Sequence, residues 1–291
     1  IAASGFAWIG RKAKKFAPEI DLQSFLVTGA AAGVAAAFNT PLAGIAFALE
    51  EIVEGMFGPF RQIVMLGVII AGVTAQGMSG DYLYFGHFVV TKPSVLILLP
   101  EALAIGIVGG TLGGLFAKIL AFPQLTRLPD HWLARGFLCG VICSIAGYFT
   151  HGATSGSGYE ITKTVLEGGS PDKASLMFPI YKTVTTIFSY LSGMAGGIFS
   201  PSLSIGAGVG ISVAKLAHFL NFKTCALIGM VAFFSGAIGA PLTAVIIVME
   251  MTDEHILVLP FMIAAYLAYS IGKRFMPVPL YRFLAAKHLG G

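Results

Sequence analysis

Charge is what this sequence has least of. Only 11% of its 291 residues are Asp, Glu, Lys or Arg, against about 25% in an ordinary soluble domain. So few charges cannot cover the surface of a soluble fold of this size, which excludes a soluble enzyme and a disordered regulator. Cysteine is scarce too, at three residues, which excludes a disulfide-stapled module. Cys139 and Cys143 sit four apart in an apolar run with no further Cys or His at ligand spacing, so they read as small buried residues and no metal site is expected. The basic excess, a net charge of +4, is too scattered for a nucleic-acid footprint, and no nucleic-acid partner is expected. There is no G-x-G-x-x-G after a strand pattern, no H-E-x-x-H and no Walker A string. Residue 1 opens inside an apolar run, Ile1 to Gly10, with no initiator Met and no basic leader. No cleavable signal peptide is visible, and the chain is expected to be truncated at its N-terminus.

What the sequence does contain is apolar. Hydrophobic residues make up 56% and mean hydropathy is +0.84. Apolar stretches run over 1–10, 22–49, 63–78, 94–122, 132–150, 174–194, 197–220, 225–249, 255–272 and 280–289. A helix needs about 20 residues to cross a bilayer core. Several stretches are shorter or interrupted, and 94–122 is long enough to span with a strong tilt. The expectation is an all-α polytopic membrane protein with tilted and broken helices, multi-pass in a lipid bilayer. Glycines recur at four-residue spacing (Gly29 and Gly33; Gly106, Gly110 and Gly114; Gly136 and Gly140; Gly206 and Gly210), a pattern that predicts close helix packing. The six histidines fall near segment ends and read as interfacial residues.

A self-match organises the chain. Asn39-Thr40-Pro41-Leu42-Ala43 leads to Glu50, and Gly239-Ala240-Pro241-Leu242-Thr243 leads to Glu250. Each Pro suits the first position of a helix, where its missing N–H costs nothing. The apolar part after it, 42–49 or 242–249, would be about 12 Å long at 1.5 Å per residue, less than half a bilayer core. Half-helices in corresponding places of two repeats point to a transporter-type binding site.

The string Gly193-Met194-Ala195-Gly196-Gly197-Ile198-Phe199-Ser200-Pro201 reads as a glycine-rich turn entering a helix. The first amides of a helix have no internal partner and carry partial positive charge. Within a membrane an anion or a polar side chain must satisfy them. No charged residue occurs from Thr183 to Ala214, so an ion held here would meet neutral dipoles, as conduction requires. On residue pattern alone a glycine hinge for packing fits the same string. Counting back by the repeat, the partner of this helix start should lie at or just before residue 1.

Together these residues resemble the CLC family of chloride channels and proton-coupled chloride exchangers, along essentially the whole chain. Gly197-Ile198-Phe199-Ser200-Pro201 matches the family's GxFxP anion motif. Gly29 to Glu51 resembles the segment ending in the paired glutamates of bacterial exchangers. Gly239 to Asp253 resembles the matching second-repeat segment, and Pro279-Leu280-Tyr281 resembles the one carrying the anion-coordinating tyrosine. The resemblance implies the C-terminal two-thirds of a CLC membrane domain, with two inverted-topology repeats. Residues 1–80 would be the remainder of the first, 94–272 the second, and 273–291 a short C-terminal helix carrying the pore tyrosine. It implies a homodimer with one pore per subunit in a bacterial inner membrane, with bound chloride ions and no other cofactor. Backbone N–H groups of Ile198, Phe199 and Ser200 would face chloride and the Tyr281 hydroxyl would donate to it, although by residue type alone Tyr281 reads as an interfacial belt residue. The family's GSGIP and GREGP strings would precede Ile1.

Glu50 and Glu51 end an apolar half-helix, where carboxylates are functional candidates. Without the resemblance they are also two acids starting a loop. With it, Glu51 fits the internal proton-transfer glutamate and Glu50 its neighbour on a water pathway. The expected function is chloride transport exchanged for protons; the alternative is a passive anion-selective channel of the same fold. A membrane-embedded hydrolase would have to use His151, Ser155 and Ser157, a string that reads as a loop. Glu250, with Asp253 and Glu254, is expected to mark a polar helix end with no transport role.

Overall fold

In the computed structural model the described residues are 2–13, 22–52, 60–80, 83–86, 95–122, 128–129, 131–169, 176–194, 196–219 and 221–289. They fall into two compact units, one of residues 1–87 with Val245–His255, the other of Phe88–Ala244 with Ile256–Gly291. No strand occurs among the described residues.

The first unit contains α1 (Ala2–Ala13), α2 (Leu22–Phe38), α3 (Pro41–Phe47), a π turn (Ala48–Ile52) and α4 (Phe60–Ser79). The apolar run 22–49 is cut where the sequence predicts. Asn39 takes a left-handed backbone (φ 55°) and Pro41 opens α3. α2 packs on α1, α3 and α4 around Val27, Ala31, Ala35, Ala48, Val64 and Val68. Gly29 lets α1 approach, since a Cβ there would lie 2.9 Å from the Ala2 carbonyl oxygen.

The second unit contains α5 (Val95–Ala121), α6 (Trp132–Phe149), α7 (Tyr159–Leu166), α8 (Phe178–Leu191), α9 (Phe199–Ala217), α10 (Phe222–Ile238), the start of α11 (Pro241–Thr252), α12 (Val258–Phe275) and α13 (Leu280–Leu289). α10 is its centre. It packs on α5, α9 and α12, and every residue from Thr224 to Ile238 is buried. Glycine makes this possible. Gly106, Gly110 and Gly114 of α5 abut α12, Gly109 and Gly113 abut α10, and Gly206 and Gly210 of α9 abut α10 at Gly229 and Cys225. In lipid, where no hydrophobic force drives helices together, backbone approach of this kind supplies the packing energy.

One glycine pair departs from the expectation. Gly136 and Gly140 of α6 have nothing within 4 Å of the place a Cβ would occupy, so among the described residues they meet no other element. α6 is largely uncovered, with Trp132, Phe137 and Tyr148 exposed. Leu96–Ala121, Trp132–Phe149 and His255–Leu284 are long and apolar enough to cross a membrane. The short helix α7 has no counterpart among the apolar runs. Its sequence, YEITKTVL, is half polar and buries only Thr162, Val165 and Leu166.

The internal repeat extends to helix boundaries. α2 and α10 each have 17 residues and begin and end 200 positions apart, and α3 and α11 both start on the matching prolines. Gly239, like Asn39, takes a positive φ (90°) just before its Pro.

Candidate functional site

α9 begins at the end of the glycine-rich string. Ile198 is its N-cap residue and makes no side-chain cap bond. α10 is different: its N-cap Asn221 accepts a hydrogen bond from the Thr224 amide at 3.2 Å. Within α9 the Ser202 amide and hydroxyl both donate to the Ile198 carbonyl, at 3.0 and 2.5 Å. Helix geometry gives first-turn amides no acceptor in their own helix, and the aliphatic Ile198 side chain has no acceptor to offer.

This helix start is inside the protein. Ile198 and Phe199 are 3% and 8% exposed, and Pro201 to Ile211 are buried without a gap. The Phe199 ring meets Phe234 of α10 edge-on, with centroids 4.4 Å apart. Ser200 is half-buried and Gly197 exposed, so the string passes from solvent to core within a few residues. The arrangement presents uncharged N–H dipoles, reinforced by the helix dipole, where water is largely excluded. That is chemistry for holding a monovalent anion without a covalent or metal partner.

Tyr281 is the second residue of α13 and half-buried. α13 packs on α5 and α10, two helices that α9 also packs on. Gly239, at the end of α10, lies against Pro279. α10 thus carries Phe199's contact at Phe234 and Pro279's contact at Gly239, roughly 7 Å apart along its axis. A cleft lined by Ser235, Gly239, Tyr269, Lys273, Pro279 and Leu280 opens at this end of α10.

In the first unit, Glu50 lies half-buried in the π turn that ends α3. The backbone of Glu51 belongs to the same turn, and its side chain lies outside the described residues. Glu250 does not simply mark a polar helix end. Its carboxylate accepts from the Leu42 and Ala43 amides at 3.0 and 2.7 Å. Thr40, the residue placed to cap α3, makes no side-chain cap bond, so a carboxylate 207 residues away in sequence does that work. A single match of the repeat carried this information only as position, not as contact.

The sequence reading also passed over two cations and an acid in the second unit. Lys182, 2% exposed, donates from Nζ to the Thr154 and Gly156 carbonyls at 2.8 and 2.6 Å. The turn that receives it is tied to α9, because the Ser204 hydroxyl donates to the Gly158 carbonyl at 3.1 Å. Arg135, in the first turn of α6, is half-buried. Glu101, buried beside Pro100 in α5, accepts from the Cys225 thiol at 3.6 Å. A lone charge inside an apolar run was the available signal for all three. His151 and Ser155 are exposed on the turn that precedes α7, where the Ser155 amide donates to the local Gly152 carbonyl at 3.0 Å and the Ser157 hydroxyl accepts from the Tyr159 amide at 3.3 Å, which is loop geometry. Among the described residues no cluster of His, Cys, Asp or Glu has metal-site geometry.

Comparison with known proteins matches residues 1–273 to the family described as voltage gated chloride channel. A solved structure described as a slow cyanobacterial Cl−/H+ antiporter is similar over 99% of this chain and 70% of its own, at 25% identity and a TM-score of 0.83. A CLC-type fluoride/proton antiporter is similar in fold over 96% of this chain and 70% of its own, at 24% identity and a TM-score of 0.80. A eukaryotic CLC transporter shares the fold over 90% of this chain and 46% of its own, at 21% identity and a TM-score of 0.59.

Proposed function

The chain belongs to the voltage-gated chloride channel family, and we propose that it exchanges chloride for protons across a lipid bilayer. One observation carries the anion half of this reading: α9 starts among buried side chains, without a cap and without a charged residue from Thr183 to Ala214. In this reading the amides of Ile198, Phe199 and Ser200 face chloride and the Tyr281 hydroxyl donates to it. Neutral donors desolvate the ion without trapping it, which a full positive charge in direct contact would do.

The proton half rests on Glu51, with Glu50 beside it. The descriptions of the similar antiporters, one moving chloride and one fluoride, support coupled exchange over passive flow. A π turn at the end of a short helix is a common feature of functional sites, and Glu50 and Glu51 stand in one. The repeats at 1–80 and 94–272, the tyrosine-bearing segment 273–291, a homodimer and a bacterial inner membrane complete the proposal.

The test is flux in liposomes holding the full-length protein under a chloride gradient. Exchange predicts that chloride efflux drives protons uphill and that Glu51→Gln abolishes the proton movement while chloride continues. Chloride flux without proton movement, with Glu51→Gln leaving reversal potential unchanged, would establish the passive channel instead. The anion site is tested separately by bromide-soaked crystals, which should show anomalous density at the amides of Ile198 to Ser200.

A further inference from the structure

Arg135 is a cation with a donor to spare. Among the described residues its Nε is buried with no hydrogen-bond partner. Its guanidinium lies against the first glycine of the string that leads to α9: a Cβ added to Gly193 would sit 3.3 Å from Nη2. Gly193 itself is exposed and takes a left-handed backbone (φ 84°). So the guanidinium lies beside an exposed turn of the chain.

The ordinary task for a basic residue beside a helix end is to bond the last carbonyls. At the end of α8 that task is largely taken. The Phe188 carbonyl accepts from the Ser192 amide at 2.9 Å, Tyr190 from the Gly193 amide at 3.3 Å, and Ser189 from the Ser192 hydroxyl at 2.6 Å. Among the described residues no carboxylate pairs with Arg135. A guanidinium carries five N–H donors and a permanent charge, and in an apolar setting a charge without a partner marks a functional position.

We propose that Arg135 and the Gly193 turn form an anion-holding site that collects the transported anion before it reaches the first turn of α9. This rests on the anion-transport reading above and adds an outer station to it. Gly193 heads the string and Ile198 ends it five residues later, so an ion held by Arg135 stands at the head of the path. A phospholipid phosphate has the same chemistry and is the competing source of the anion.

The test uses the full-length protein in liposomes, with chloride efflux measured against chloride concentration for wild type, Arg135→Gln and Arg135→Lys. Loss of the charge should raise the half-saturating chloride about tenfold and leave the saturated rate within about twofold, which also shows the variant is folded. Lys should restore most of the affinity. Raising ionic strength with an impermeant salt should weaken the wild type towards the Gln variant. An unchanged half-saturation in Arg135→Gln, beside a wild type that saturates, overturns the site and leaves the transport reading intact. A wild type with no saturable flux overturns that reading instead. In phospholipid-free detergent, weaker calorimetric chloride binding by Arg135→Gln supports the free ion. Binding equal to wild type there assigns the guanidinium to lipid phosphate and overturns the proposal.

Discussion

Removing the Glu250 carboxylate tests whether the break between α2 and α3 is held by a distant side chain. The carboxylate oxygens take the Leu42 and Ala43 amides at 3.0 and 2.7 Å. A hydrogen bond to a charged group contributes about 1.5–3 kcal/mol. Glu250 is half-buried, so solvent screening puts each bond at the lower end. Glu250→Ala should therefore cost about 3 kcal/mol, and Glu250→Gln, which keeps one oxygen acceptor and no charge, about half of that. Asp253 is the control. It pairs with His255 at 3.0 Å with both side chains largely exposed, and pairs of that kind contribute about 0–1 kcal/mol. The assay is reversible unfolding in mixed micelles under increasing denaturing detergent. If Glu250→Ala unfolds with the wild type, or if Asp253→Ala costs as much, the cap is not an energetic element and the short helix holds its place by packing alone.

The remaining perturbations act in the second unit. Gly210→Leu should abolish folded protein, because even a Cβ would meet the Cys225 carbonyl of α10 and backbone cannot retreat cheaply; size-exclusion of detergent extracts reads this, and a normal monodisperse peak refutes the backbone contact. Lys182→Met should destabilise by about 1–3 kcal/mol by leaving the Thr154 and Gly156 carbonyls without a donor. Lys182→Arg should recover part of that loss in the same unfolding assay, and equal losses for Met and Arg would refute the role given to the two carbonyls.

The apolar runs, their interruptions at Pro41 and Pro241, and the repeat between them were legible because proline, glycine and hydrophobicity act locally. α2 and α10 end where a left-handed residue and then a Pro stop them, and both features are written in sequence. The contact that Glu250 makes was not legible, for the opposite reason. Its partners lie 207 and 208 positions away, and periodicity has no term for that separation. Lys182 and Arg135 went unremarked because a single charge in an apolar run looks the same whether it snorkels to the surface or turns inward. α7 went unseen because half its residues are polar. Its Thr162 hydroxyl donates to the Gly158 carbonyl at 3.1 Å and to the Ser204 hydroxyl at 3.1 Å, so polar residues there serve as interior contacts. Gly136 and Gly140 show the limit from the other side, since the same four-residue spacing that packs α5 and α9 meets no other described element in α6.

Three of the inward-turned charges share one property that bears on transport. Glu101 is met by a thiol, Lys182 by two carbonyls and Glu250 by two amides. Two ion pairs elsewhere in the chain, Lys163 with Glu167 and His255 with Asp253, involve largely exposed side chains. A neutral dipole satisfies the hydrogen-bonding need of a buried charge but does not cancel its field. In the second unit the charge on Lys182 therefore remains felt along α9. Ser204, its near neighbour through the 154–158 turn, lies roughly 7 Å down the helix axis from Phe199. At about 10 Å a unit charge still shifts an anion's energy by about 1.7 kcal/mol when the effective dielectric is near 20. The first turn of α9 can then attract an anion by the field of a cation that it does not touch.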